Sequence, residues 1–316
     1  MPKHITAKPE FTVTQIAKTT KAPSWHIAIF AHNEVTTIDA AMQSVASATA
    51  GKDAAVYVLA NGCKDSTASL VKQNNAQLEN LYILETSVAD KANAWNLFVH
   101  RLLTTNHTHE NHTYFFMDGD VICNSDTFSL LAEEFNLVER AEAVGAMPAN
   151  GRDRDAWRRR MVSSNMLAGN CYALRGRLVK YLQLEKILIP IGLIGEDFFV
   201  SWLVQSNVWR KEQLENEGNR CVFHNKAEFS FRSLSIFKLS DYSLYIRRKW
   251  RYTLRGIQHQ MLLFLMHQRD AKLPENVIQL YNLVPPPPRL KWRGLDTPFW
   301  ILIVGKIKRL HNSIIL

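Results

Sequence analysis

The sequence contains no run of the roughly 18 apolar residues that a membrane-spanning helix needs. The nearest candidate, Pro298 to Gly305, is too short to cross a bilayer. Cysteine is scarce: Cys63, Cys123, Cys171 and Cys221 are far apart and form no Cys-x-x-Cys pair. That spacing argues against a zinc cluster. The first 21 residues are polar and lack the apolar h-region of a secretory signal. Reduced thiols in a cytoplasmic protein are therefore expected. Nor does any repeat recur at solenoid period.

What is present suits a globular chain with a sizeable core. Hydrophobic residues make up 47% of the 316 positions, and that length is enough for one large α/β domain with an extension or for two small domains. The formal net charge is +9, with five arginines between Arg152 and Arg160 and five cationic residues between Arg247 and Arg255. A basic balance implies an anionic partner: nucleic acid, a membrane surface or a phosphorylated substrate. No helix-turn-helix, zinc-finger or RNA-binding motif appears, so a basic nucleic-acid-binding protein ranks low and no nucleic-acid partner is expected.

The pattern along the chain is β then α, repeated. Residues 1–24 read as a flexible arm. Trp25 to Ala31 is a short apolar run that suits a buried parallel strand. After His32-Asn33-Glu34, the spacing of Ile38, Met42 and Val45 predicts a helix. Ala54 to Ala60 reads as the next strand, Asn61-Gly62 as a turn, and Asp65 to Lys72 as a helix start with N-cap chemistry. Leu81 to Glu85 and Tyr114 to Met117 are further strands, each followed by a helical pattern. Such alternation predicts a mostly parallel, doubly wound sheet. Ligands in these sheets bind beyond the carboxyl ends of the strands, which gathers 32–34, 61–65 and 118–120 around one crevice.

The later pattern is looser. Strands are expected at 143–147, 171–174 and 220–224, with helices at 155–168, 198–204 and 238–267. Pro285 to Pro288 reads as a stiff linker. The tail from Lys291 to Leu316 mixes Trp292, Phe299, Trp300 and isoleucines with Lys306, Lys308 and Arg309. That composition suits a helix in a membrane interface, or one packed on the core or a partner subunit. The domains expected are the arm, a main domain over 25–233, and a helical, basic-amphipathic extension over 234–316.

Two carboxylate motifs carry the candidate chemistry. Asp118-Gly119-Asp120 ends an apolar strand. A departing diphosphate needs its charge offset, and carboxylate oxygens suit the hard cations Mg²⁺ and Mn²⁺ that can do so. One aspartate can hold the metal while the other holds a ribose hydroxyl, and Gly119 lets backbone approach the ligand. Gly195-Glu196-Asp197 opens a helix, whose dipole stabilises a carboxylate able to act as general base.

Taken in order, these motifs resemble the large inverting glycosyltransferase family with the GT-A fold, family 2. The residues that carry the likeness are Ala31-His32-Asn33-Glu34, Asn61-Gly62-Cys63-Lys64-Asp65-Ser66-Thr67, Asp90-Lys91-Ala92-Asn93, Asp118-Gly119-Asp120 and Gly195-Glu196-Asp197. The resemblance spans about residues 25–233. It implies a Rossmann-like sheet flanked by helices and transfer of a sugar from a nucleoside-diphosphate donor to a glycan or lipid-linked acceptor. It also implies a divalent metal, Mn²⁺ or Mg²⁺. By the same resemblance, Ala31, His32, Asn33, Glu34, Asn61, Asp65 and Lys91 contact the nucleotide, Asp118 holds ribose, and Asp120 binds the metal. Gly119 lies against the donor, Gly169 and Asn170 meet the donor sugar, Asp197 is the base, and Glu196 binds acceptor or orients the loop. His224 is a candidate further metal ligand, and Arg248 and Arg251 candidate diphosphate contacts. The family usually has Asp where this chain has Ala60. A sugar-phosphate nucleotidyltransferase shares the architecture but normally needs a glycine-rich loop after the first strand, and 31–35 has no glycine. The composition of 291–316 also fits a protein held at the inner face of a membrane through that tail.

Overall fold

The computed structural model describes residues 10–74, 76–103, 105, 108–206, 220–232, 239–268, 272–287 and 294–312. The chain divides into two compact units. The first comprises Met1–Lys186 and Asp197–Ser233, the second Ile187–Glu196 and Leu234–Leu316.

The first unit is built on a nine-stranded sheet. Its strands are β1 (Phe11–Ala17), β2 (Trp25–Ala31), β3 (Ala54–Asn61), β4 (Leu81–Thr86), β5 (Thr113–Asp118), β6 (Val121–Cys123), β7 (Ala143–Pro148), β8 (Cys171–Arg175) and β9 (Cys221–Phe231). In space they run β1-β4-β3-β2-β5-β8-β7-β9-β6. The strands β4, β3, β2 and β5 are mutually parallel. Beyond β5 the sheet is mixed: β8 is antiparallel to β5 and β7, β9 runs parallel to β7, and β6 closes antiparallel on β9.

Alternation along β2 explains why this centre is buried on both faces. Ile27, Ile29 and Ala31 join the core formed with Ile38, Met42 and Val45 of α1 (Ile38–Ala48). That core also takes in Val71 of α2 (Thr67–Gln73). On the other face the Phe30 ring lies over Phe116 of β5, and Phe116 stacks on Trp95 of α3 (Lys91–Leu97). Helix α4 (Thr127–Leu137) adds Phe128, Leu131 and Phe135 to the first face, and α5 (Arg154–Ser164) adds Met161. Helix α6 (Gly176–Leu184) follows β8, and α7 (Glu196–Gln205) precedes β9. Parallel strands covered on both faces read as continuous apolar runs, which is why β2, β3 and β5 are plain in the sequence.

The segment 11–17, expected within a flexible arm, is instead an edge strand. It pairs antiparallel with β4 from Phe11↔Thr86 to Ala17↔Leu81. Backbone pairing holds it, while Thr12, Val13, Thr14 and Gln15 stay exposed. An edge strand needs few buried side chains, so hydropathy is a weak signal for it. Residues 1–9 of that arm lie outside the described residues.

The second unit contains α8 (Leu239–Met266), α9 (Val277–Leu283) and α10 (Thr297–Asn312). Ile257, Met261, Leu262, Leu280, Trp300, Ile303 and Ile307 are buried in it. Trp250 of α8 meets Phe299 of α10 edge-on, and Lys249 pairs with Asp296 at 2.9 Å. The segment 187–196 belongs with these helices. Ile191 bridges to Asn276, and Gln258 donates to the Gly192 carbonyl and to the Tyr281 hydroxyl. Of the expected proline linker and basic tail, residues 288–293 and 313–316 lie outside the described residues. Among the described residues no helix is long and apolar enough to cross a membrane.

Candidate active site at the strand switch point

Strand order reverses at β2. The chain proceeds from β2 to β3 and β4 on one side, while β5 pairs on the other. Diverging connections leave a crevice at the carboxyl ends of such a pair, where α/β sheets bind ligands. Phe30 pairs with Asp118 and Ala31 with Ala60, so the loops after β2, β3 and β5 leave the sheet side by side.

Gly119 explains how closely the β5 loop lies against β2. Its amide donates to the Phe30 carbonyl at 2.8 Å. A Cβ there would stand 2.9 Å from that carbonyl oxygen. Glycine is needed for the approach, and its neighbours Asp118 and Asp120 flank the turn.

Asp118 is tied into the protein. Its Oδ1 lies 2.5 Å from the Lys91 ammonium, which also donates to the Gly169 carbonyl at 2.9 Å and sits over the Phe30 ring. Lys91 opens α3 and reaches this point because Asp90 caps the helix, accepting from the Asn93 amide at 2.7 Å. The Asp118 amide donates to the Asn170 carbonyl at 3.0 Å. The Gly169 amide in turn donates to Asp197 Oδ2 at 3.1 Å. Asp197 is only 7% exposed. Its carbonyl accepts from the Ser201 hydroxyl, which accepts from the Leu167 amide. Asp118, Lys91, Gly169, Asn170 and Asp197 therefore form one connected network. Three of the sequence motifs and the 169–170 segment meet in it.

The loop after β2 is fastened to the loop after β3. His32 Nδ1 lies 2.6 Å from the Asn61 carbonyl, and the Lys64 amide donates to Asn33 Oδ1 at 2.7 Å. Asn33 holds a left-handed φ of 59°, a conformation asparagine tolerates better than most residues. The Glu34 amide donates to Thr67 Oγ1 at 2.8 Å, and the Val35 amide to Asp65 Oδ2 at 3.2 Å. Thr67 also donates to Asp65 Oδ1 through its amide and its hydroxyl. Slight burial pushes the Asp65 carboxyl up, but the bonds from Thr67 and Val35 leave it below its ordinary value. Asp65 thus works as a clamp between loops. Asn61, 4% exposed, likewise turns inward; with its amide oriented to donate, the nitrogen reaches the Ala31 carbonyl at 2.6 Å. Thr67 and Thr37, which carry no motif chemistry of their own, hold Asp65 and Glu34 by hydrogen bonds. Ala60 is buried, and nothing polar stands at its position.

Two carboxylates border the crevice. Burial raises the Glu34 carboxyl above its usual value, against a bond from Thr37, and the negative charge of Asp120 adds to the rise. Asp120 is half-buried and makes no ion pair among the described residues. Two neighbouring carboxylates offer hard oxygen donors of the kind that hold a divalent cation. Among the described residues no group of three His, Cys, Asp or Glu side chains could hold one alone.

His224 lies early in β9, next to Phe223, which pairs with Gly145. Its Nδ1 accepts from the Lys226 and Ala227 amides. The Asp120 turn adjoins the far end of that strand, where Phe231 pairs with Val121.

Glu196 and the two arginines belong to the second unit. Glu196 is 5% exposed and follows Gly195, whose φ is +89°. A Cβ on Gly195 would meet the Arg255 guanidinium at 2.5 Å. The Ile194 amide donates to Gln258 Oε1, and His259 Nε2 lies 3.0 Å from the Ile194 carbonyl. Arg248 and Arg251 stand on α8, the first half-buried and the second exposed.

No protein-family model and no curated protein match the chain. Solved structures do. A mannosyltransferase of Pyrobaculum calidifontis, in complex with GDP-Man and Mn²⁺, is similar at a TM-score of 0.57 and 15% identity, over 94% of this chain and 77% of that one. TarS of S. aureus, residues 1–349, is similar at 0.50 and 16%, over 90% and 80%. The protein therefore has the GT-A type α/β fold, a partly parallel sheet flanked by helices.

Proposed function

We propose that the protein is a metal-dependent, inverting glycosyltransferase that moves a hexosyl group from a nucleoside-diphosphate sugar to an acceptor hydroxyl. The observation that carries this reading is the network from Asp118 through Lys91 and Gly169 to Asp197 at the strand switch point. The Mn²⁺ and GDP-Man complex of the similar mannosyltransferase supports the same donor class and cofactor.

In this reading Asp120 and Glu34 offer oxygens to Mn²⁺ or Mg²⁺. Such ions often take one or two carboxylates plus phosphate oxygens and water, so a preformed triad is unnecessary. The ion supplies Lewis-acid stabilisation of the leaving diphosphate. Asp118, held by Lys91, accepts a hydrogen bond from a ribose hydroxyl. Gly169 and Asn170 border the donor sugar. Asp197 takes the proton of the acceptor hydroxyl as its oxygen bonds to the anomeric carbon and the bond to the diphosphate breaks. The acceptor in this reading is a glycan or lipid-linked hydroxyl.

The test is Asp197→Asn. Nucleoside-diphosphate affinity should stay at the wild-type level while transfer from a nucleotide-sugar panel is lost. Wild-type transfer by this variant removes Asp197 from the role of base.

A further inference from the structure

Charge is segregated along this chain. Residues 234–316 carry 14 Lys and Arg against four Asp and Glu, whereas residues 1–233 carry 24 against 25. The whole positive excess therefore belongs to the C-terminal segment. Large apolar side chains also lie exposed there, among them Ile246, Phe264 and Leu283.

Helix α10 combines both features. It contains no acidic residue. One arc, Trp300, Ile303, Val304 and Ile307, is buried. The opposite arc carries Ile301 and Leu302, 52% and 61% exposed, together with exposed Lys306, Lys308 and Arg309. At 3.6 residues per turn these five positions span roughly 160° of the helix. The aliphatic pair lies in the first half and the cations in the second, about 10 Å apart along the axis.

Of water, a nucleic-acid backbone and an anionic bilayer, only the last engages the whole arc. Water gains nothing from adjacent exposed Ile and Leu. A nucleic-acid backbone would engage the cations but not the aliphatics. An anionic bilayer surface engages both: aliphatics enter the acyl boundary, while lysine and arginine stems reach back to headgroups. We propose that the second unit docks on an anionic lipid bilayer through this arc of α10. Ile301 and Leu302 enter below the headgroups, and Lys306, Lys308 and Arg309 pair with them.

The test is co-sedimentation of the full chain with vesicles of phosphatidylcholine, alone or with phosphatidylserine. Wild type should bind the mixed vesicles far better, and salt should weaken the binding. Each cation near an anionic surface contributes about fivefold (~1 kcal/mol). The triple variant Lys306→Gln, Lys308→Gln, Arg309→Gln should thus lose on the order of a hundredfold. Ile301→Ser with Leu302→Ser should lose binding that high salt does not remove. All five side chains are exposed, so the variants should melt as wild type does. Equal binding by wild type and either variant overturns the proposal. So does a wild-type dimer that the Ile301 and Leu302 changes dissociate, or tighter binding to duplex DNA than to mixed vesicles. Nucleoside-diphosphate binding by the same variants reports separately on the transferase reading.

Discussion

Burial of His26 should make the first unit sensitive to acid. The ring lies in β2, 5% exposed, stacked on Tyr114 with centroids 4.8 Å apart. Its Nε2 is 3.1 Å from His112 Nδ1, and its Nδ1 is 3.5 Å from the Tyr57 hydroxyl. Burial lowers its pKa to about 3, and the nearby charges of His112 and His109 push the same way. The unfolded chain would titrate near 6.5. Above pH 6.5 the ring is neutral in both states, and the folded protein keeps its full stability. As pH falls below 6.5, the unfolded chain takes a proton that the folded one refuses. Stability then drops by about 1.4 kcal/mol per pH unit until pH approaches the folded value. Between pH 6.5 and 5 the loss is about 2 kcal/mol. His112, also lowered by burial and by His109, adds in the same sense. Urea unfolding of wild type and His26→Phe, followed by circular dichroism at pH 7.5 and pH 5, measures the effect. The variant should lose markedly less stability between the two pH values. Equal losses would show that the folded protein protonates His26 freely, and would refute the reasoning.

Three substitutions probe the site's scaffold. Gly119→Ala should push the turn off the Phe30 carbonyl, costing about 1–3 kcal/mol of stability and weakening nucleotide binding at least tenfold, read by thermal melts and calorimetric titration. Lys91→Met should leave Asp118 without its cation; the loss of charge-assisted bonds, about 1.5–3 kcal/mol, should appear in urea unfolding and in donor affinity together. Thr67→Val removes the hydroxyl shared by Glu34 and Asp65, and should cost roughly 1–3 kcal/mol while raising KM for the donor more than it lowers kcat.

The parts of the fold legible in the sequence are those whose burial is two-sided. Ile27, Ile29 and Phe30 are almost fully buried on alternate faces of β2, and such runs stand out against polar loops. The polar loops after β2, β3 and β5 were legible for the same reason: each interrupts an apolar run where the strand ends. The edge strand β1 offered no such contrast, because pairing with β4 rather than burial holds it. The grouping of 187–196 with the C-terminal helices depends on contacts such as Ile191 with Asn276, 85 residues later. The bonds that tie Asp65 to Val35 and Thr67 join loops far apart in sequence, so they too could not be read from spacing.

The central claim is that the crevice beside Asp118-Gly119-Asp120 holds a nucleoside diphosphate together with a divalent ion. Calorimetric titration of wild type and Asp120→Asn with GDP and UDP, with and without Mn²⁺, tests it most directly. One diphosphate should bind wild type only when Mn²⁺ is present, and the Asp120→Asn protein should lose that metal-dependent binding while folding normally. Binding that is indifferent to Mn²⁺, or unchanged in Asp120→Asn, would contradict the account.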